Sequence, residues 1–338
     1  MREFLKRKNI IVSWRTYFIT ALGAMAYGLF ASLLVGTILN TIGEEFNIDF
    51  LTKTLWPIAQ AATGPAIAVS IAYALKAPDM VLFSSTLIGV AGYELGGPIG
   101  VFVATIFGVE FGKIVSGETK IDIVITPTVT VLCGILVANF IGPYIESLMM
   151  RFGNLIMIAT DQQPFIMGIL VSVLVGLALT LPISSAALCI MLSLSGLAGG
   201  AATVGCCSQM VGFAVISFKD NGLDGLVAQG LGTSMLQMPN IIKNHKIWIP
   251  PTLTSAILGP LATSVFKMEN TPLGSGMGTS GLVGQIGTIN AMGQGLPKSR
   301  IFLLILILHF VLPGLISYFI YVYMRSKGLI KDGDMKLK

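Results

Sequence analysis

Three groups of residues in this chain could do chemistry. The first is the glycine run "TPLGSGMGTSGLVGQIGTINAMGQGLP", Thr271 to Pro297, in which Gly276-Met277-Gly278-Thr279-Ser280-Gly281 matches G-x-G-x-x-G. In a dinucleotide-binding fold, such glycines let backbone amides meet a pyrophosphate at a helix N-terminus. That use needs a buried strand before the run and an acid about 20 residues beyond it. Here "TSVFKMENTP" precedes the run, and no acid follows Glu269 until Asp332. A Gly-Lys-Ser/Thr phosphate loop is absent as well. Nucleotide chemistry is therefore set aside.

The second group is acidic. Glu94 lies in "GVAGYELGGPIG" beside a glycine pair, and Glu110 lies in "IFGVEFGKIV", three residues before Lys113. An acid in apolar surroundings is a functional candidate by default. Glu94 is read that way. Glu110 is read as pairing with Lys113 on one helix face. The third group is uncharged. Gln60 and Thr63 stand in "AQAATGP", Ser208 and Gln209 in "GCCSQM". Each could bind a solute or join helices. Asn270, Thr271, Ser275, Thr279, Ser280 and Gln285 supply further hydrogen-bonding groups in and beside the glycine run. His245 is read as part of a solvated basic loop and His309 as a packing residue in the last apolar stretch. Cys133, Cys189, Cys206 and Cys207 sit in apolar stretches without metal-ligand spacing. No catalytic triad, acid pair or metal cluster emerges, so no cofactor or metal is expected and an enzyme is disfavoured.

The elements that position these groups follow from composition. Of 338 residues, 54% are hydrophobic and 11% charged, against about 25% charged in an average soluble protein. A bilayer solves the problem of solvating so much apolar surface. The fold class expected is all-α, a polytopic integral membrane protein. Its 39 glycines suit close helix packing. The net charge of +5 comes from basic residues concentrated at both ends, which signals membrane topology and not nucleic acid.

Ten apolar stretches run over 17–41, 55–76, 79–94, 97–116, 123–147, 164–183, 184–199, 201–218, 250–266 and 301–324. The short ones at 79–94 and 184–199 are candidates for tilted, broken or re-entrant segments. The domain reading is an amphipathic segment 1–16, a first membrane half 17–147, a second half 164–324 and a tail 325–338. The positive-inside rule puts both ends in the cytoplasm and makes the number of crossings even. No cleavable signal peptide is read at the N-terminus. Phe4, Leu5, Ile10, Ile11 and Trp14 would face lipid. Loose echoes between 64–75 and 181–192, and between 96–108 and 199–212, suggest a pseudo-repeat of the two halves. The stretch 270–296 is read as a re-entrant hairpin or broken helix beside a polar cavity. Residues 219–249 are read as a cytoplasmic, partly helical segment.

Three passages carry a family resemblance: "LWPIAQAATGPAIAVSIAYALKAP", "GYELGGPIGVFVATIFGVEFGKIVSGETKIDIVITPTVT" and "NTPLGSGMGTSGLVGQIG". The chain resembles membrane subunit IIC-like proteins of the phosphotransferase sugar-uptake system, a family also called putative toxin regulators, similar to the perfringolysin regulator. The resemblance implies an inner-membrane transport subunit, often a homodimer, whose sugar receives a phosphoryl group from a cytoplasmic IIB partner. The chain departs from better-known IIC subunits in having no fused IIA or IIB module and no Gly-Ile-Thr-Glu signature. The reading is a transporter of a small polar metabolite, a sugar or an organic anion. The alternative is a membrane sensor or regulator with a transporter-like fold, acting through a cytoplasmic partner.

Overall fold

The structure, a computed structural model, describes residues 2–293 and 295–337, without the side chains of Arg2, Glu45, Glu146 and Met191. Met1 of the N-terminal segment, Gln294 of the glycine run and Lys338 of the tail lie outside the described residues. The described residues form helices and turns. Their only bridge pairing outside helices is an isolated antiparallel one between Gly196 and Asn270.

Among the described residues, six helices are long and apolar enough to cross a membrane: Arg15–Glu44, Phe50–Ala74, Asp79–Val115, Asp122–Thr160, Gly196–Ile216 and Lys298–Ser326. Pro164–Thr180 is a shorter apolar helix. The chain is an all-α, multi-pass membrane protein. Its outer faces are lined by Leu136, Phe140, Leu303 and Phe319, each more than half exposed. Each such side chain held in water forgoes about 1.5–3 kcal/mol of burial energy, which lipid supplies instead.

The chain divides into two compact units, Met1–Leu148 and Met149–Lys338, with the boundary inside the helix Asp122–Thr160. In the first unit the helices Phe50–Ala74 and Asp79–Val115 meet at a reciprocal glycine contact. A Cβ on Gly64 would stand 2.2 Å from the Gly89 carbonyl oxygen, and one on Gly89 2.4 Å from that of Gly64. The helices approach until only hydrogens separate their backbones. The expected break between 79–94 and 97–116 is a kink within one helical run. Gly96 (φ −158°, ψ 18°) and Gly97 (φ 56°, ψ −152°) leave helical geometry. Pro98, without an N–H, restarts the helix. Ile10 departs from the lipid-facing expectation: it is buried within this unit, whereas Ile11 and Trp14 are exposed. The amphipathic helix ends at Arg7, and the chain then turns through Asn9 at φ 54°.

The second unit is built on Gly196–Ile216, whose most apolar window is 94% buried, against 22% for Asp122–Thr160. Protein surrounds the first helix, whereas the second is largely uncovered. Pro164–Thr180 and Ile249–Pro260 pack on this central helix. Stretch 184–199 forms a short helix, Ser185–Met191, and then a turn through Ser193 and Gly196, both at positive φ. The tail after Ser326 is packed in place. Ile330 and Met335 are buried with Phe213, Ile216, Ile241, Ile247, Tyr321 and Met324. Gln237 and Asn221 donate to the Met335 carbonyl at 2.9 Å, and Asn240 donates to that of Lys336 at 3.0 Å. The segment 219–249 is thus largely the bed on which the tail lies.

Candidate functional site

The glycine run is a broken helix. Thr271 caps a single turn, Pro272–Ser275, by accepting from the Gly274 amide. The chain reverses through Gly278 (φ 55°), Gly281 (φ 52°) and Leu282 (φ 61°). It resumes as the helix Val283–Met292. Such a reversal needs residues that accept positive φ, and glycine does so without strain. A Cβ on Gly276 would lie 2.4 Å from the Ser185 carbonyl oxygen. The G-x-G-x-x-G glycines therefore serve close packing in a helical hairpin, and no strand precedes them.

The polar residues of the run hold this hairpin to its surroundings. Asn270, 1% exposed, donates from Nδ2 to Thr203 Oγ1 at 2.5 Å, Gly284 O at 2.9 Å and Thr288 Oγ1 at 3.1 Å. It also pairs backbone to backbone with Gly196. Ser275 donates to Leu194 O, and Thr279 to Gly230 O. Ser185 donates to Gly276 O at 2.7 Å. One run is thereby fixed to three separate stretches of the second unit.

Three atoms differ. Ser280 Oγ, Gln285 Oε1 and His309 Nε2 are buried and have no hydrogen-bond partner. The fourth such side-chain atom among the described residues, Thr105 Oγ1, belongs to the first unit. Gln285 and His309 are joined to each other, Nε2 to Nδ1, at 3.1 Å, and Gln285 Nε2 also reaches Cys207 Sγ at 3.6 Å. His309 stands in a widened, π-helical turn of the last helix, Leu306–Val311, a local geometry frequent at functional sites. The pair has a consequence for ligand chemistry. If the amide nitrogen donates to Nδ1, an amide oxygen and an imidazole N–H remain open. If the amide is turned, an amide N–H and an imidazole nitrogen remain open. Either way one donor and one acceptor lack partners, and a hydroxyl group satisfies both kinds.

The other candidates are placed as follows. Gln209, fully buried on the central helix, accepts from Trp248 Nε1 at 2.9 Å and Thr180 Oγ1 at 3.2 Å and donates to Thr252 Oγ1 at 3.2 Å. Ser208 bonds back to the Val204 carbonyl at 2.8 Å. In the first unit Thr63 bonds back to Ala59 O at 2.9 Å, and Gln60 is exposed. Glu94 is exposed just before the Gly96–Gly97 kink and has no ion-pair partner among the described residues. Glu110 does pair with Lys113, at 3.1 Å, and accepts from Tyr17 Oη at 3.2 Å. Lys113 is 1% exposed and also donates to Asn9 O at 3.0 Å. Asn270, Thr271, Ser275, Thr279, Ser280 and Gln285 thus come together in one hairpin. His309 is the member that sequence reasoning missed. Its type and its position inside an apolar helix were the available signal.

Among the described residues of the second unit no lysine, arginine, aspartate or glutamate is buried. No group of three or more potential metal ligands occurs among the described residues either. The candidate contact groups around the hairpin are therefore uncharged.

A family model described as phosphotransferase system, EIIC, matches residues 19–337. The toxin-regulator kinship suggested by the resemblance has no counterpart in that match. No curated protein and no solved structure matches the chain.

Proposed function

The chain belongs to the EIIC family of the phosphotransferase system, and from that premise we propose that it carries a neutral polyhydroxylated solute, a sugar or sugar alcohol, across the bilayer. A sugar-type IIC-like transport role goes with the family. The choice of a neutral solute rests on one observation: the open donor and acceptor left by the Gln285–His309 pair, with Ser280 Oγ also unpartnered. A buried polar group without a partner costs about 1–3 kcal/mol, so a solute hydroxyl meeting it gains that much on binding. A carboxylate or phosphate offers acceptors only, and no buried cation in this unit would offset its charge.

In this reading the hairpin 270–292 forms one wall of the solute path, and Gln285, His309 and Ser280 touch the solute. Glu94, exposed beside the kink of the first unit, is a separate candidate solute contact, taken by itself. The basic residues at both ends support a cytoplasmic position for both termini. There a IIB-like partner delivers the phosphoryl group.

The test is thermal unfolding of purified protein against a panel of hexoses, hexitols and organic acids, because binding raises stability as ln(1 + [L]/Kd). An uncharged polyol is expected to raise the Tm of the wild type and to lose most of that effect with His309→Phe and Gln285→Leu. Stabilisation by organic acids alone, or undiminished polyol stabilisation in both variants, would overturn the reading.

A further inference from the structure

We propose that the second unit holds one anionic phospholipid at the end of its last helix, with the headgroup phosphate on Lys219 and Arg325. A cavity of about 470 Å³ opens there, lined by Val215, Phe218, Lys219, Tyr318, Val322 and Arg325 among others. Its position follows from the spans. Gly196–Ile216 ends three residues before Lys219, and Lys298–Ser326 ends one residue after Arg325. Two apolar helices give way to charge at this cavity, which is the chemistry of a membrane–water boundary. Tyr318, in its wall, is exposed, as aromatic side chains are at headgroup level.

The cavity is two-sided in character, as a phospholipid is. Its walls of Val215, Phe218, Tyr318 and Val322 are apolar, and its rim carries two cations. Both cations contact one carboxylate: Asp332 Oδ1 lies 2.5 Å from Arg325 and Oδ2 lies 2.9 Å from Lys219. The two cations carry one positive charge more than the carboxylate they share, and the neighbouring Asp220 carboxylate is turned to the Gly333 and Met335 amides, at 3.0 and 3.2 Å. Lys219 is 62% and Arg325 37% exposed. Arg325 Nη1 also reaches Tyr321 Oη at 3.5 Å, and the ammonium and guanidinium hydrogens beyond these contacts can meet phosphate oxygens. A neutral lipid would gain the apolar contacts and not the charge. A free phosphate would gain the charge and not the contacts. An anionic lipid gains both.

The experiment uses the full chain in neutral detergent, with native mass spectrometry reading bound lipid. Phosphatidylglycerol, phosphatidylcholine and glycerol 1-phosphate are the probes. Phosphatidylglycerol is expected to bind about fivefold more tightly than phosphatidylcholine, as one excess positive charge near an anionic headgroup would give. The double variant Lys219→Gln/Arg325→Gln is expected to lose that preference. Lys298→Gln/Arg300→Gln, at the far end of the same helix, is expected to keep it. Should the first variant fold poorly, Asp332→Asn gives an independent reading, because it leaves both cations in place and is expected to tighten phosphatidylglycerol binding. Equal binding of the two lipids to the wild type would overturn the proposal. So would an unchanged preference in the Lys219/Arg325 variant, or weaker binding in Asp332→Asn. Displacement of the lipid by equimolar glycerol 1-phosphate would show a free-phosphate site instead and would also overturn it.

Discussion

Asn270 and Ser280 are both buried, and deleting their polar atoms should have opposite consequences. Asn270 Nδ2 serves three acceptors, so Asn270→Ala removes bonds and strands partners, at about 2–3 kcal/mol. Ser280 Oγ has no partner to lose. Ser280→Ala is expected to leave the Tm unchanged or slightly raised while solute uptake falls. Thermal unfolding and uptake on the same preparations separate the two. A similar contrast holds for the acids. Glu110→Gln leaves the buried Lys113 ammonium without its counter-charge and should cost about 3 kcal/mol of stability. Glu94→Gln breaks no pair, so its expected effect is lost uptake at unchanged Tm. Equal uptake by Glu94→Gln and wild type would remove Glu94 from the candidate contacts. The residue types were legible in the sequence, but their engagement was not. Gln209 and Gln285 are the same residue in similar glycine-rich neighbourhoods. Only the fold shows that Gln209 has Trp248, Thr180 and Thr252 around it, while the oxygen of Gln285 has no partner.

The helix break at Gly96–Gly97 could be read from the sequence because its cause is local: two glycines and a proline in succession interrupt the helical hydrogen bonds. The hairpin of the glycine run was legible for the same reason. The joining of Gln285 to His309 was not, because it depends on how the last helix packs against the hairpin. The packed tail was hidden likewise. Its basic composition was legible only as a topology signal, whereas Ile330 and Met335 give it an apolar footing and side chains of 221–240 bind its backbone. Two glycines test the element-level account. Gly97 has open space where a Cβ would go, so Gly97→Ala costs only the strain of its backbone conformation, about 1–3 kcal/mol. Gly64→Ala keeps helical geometry but drives a methyl into the Gly89 carbonyl, and should cost about as much through overlap. Adding Gly89→Ala should worsen Gly64→Ala and leave the effect of Gly97→Ala additive, as a double-mutant cycle in thermal unfolding would show.

For the molecule as a whole, the ion pairs at the two ends of the chain predict how the protein responds to acid. Lys219 holds the Asp332 carboxyl below its ordinary value of 3.8, and Lys8 holds that of Glu118 below 4.5. Both are carboxylates with depressed values. The attachment they give to the tail and to the N-terminal helix is therefore full above those ordinary values and fades as the pH falls through the lower, folded ones. Both groups are solvent-exposed, so salt should weaken the same contacts at neutral pH. Limited proteolysis of the tail is expected to be constant from pH 8 to about pH 5 and to rise only in stronger acid. Release of the tail between pH 7 and 6 would show that other groups hold it.

The account rests on passage of a neutral polyol along the hairpin of the second unit, and uptake into proteoliposomes tests this most directly. Wild-type protein and His309→Phe would be reconstituted at matched density, with a IIB-like partner and phosphoryl donor enclosed. Radiolabelled hexoses and hexitols would be offered outside, with an organic acid as control. The account predicts saturable entry of at least one uncharged polyol, at least about tenfold slower in His309→Phe, as loss of one buried hydrogen bond implies. Entry of the organic acid alone, or equal polyol entry through wild type and His309→Phe, would contradict it.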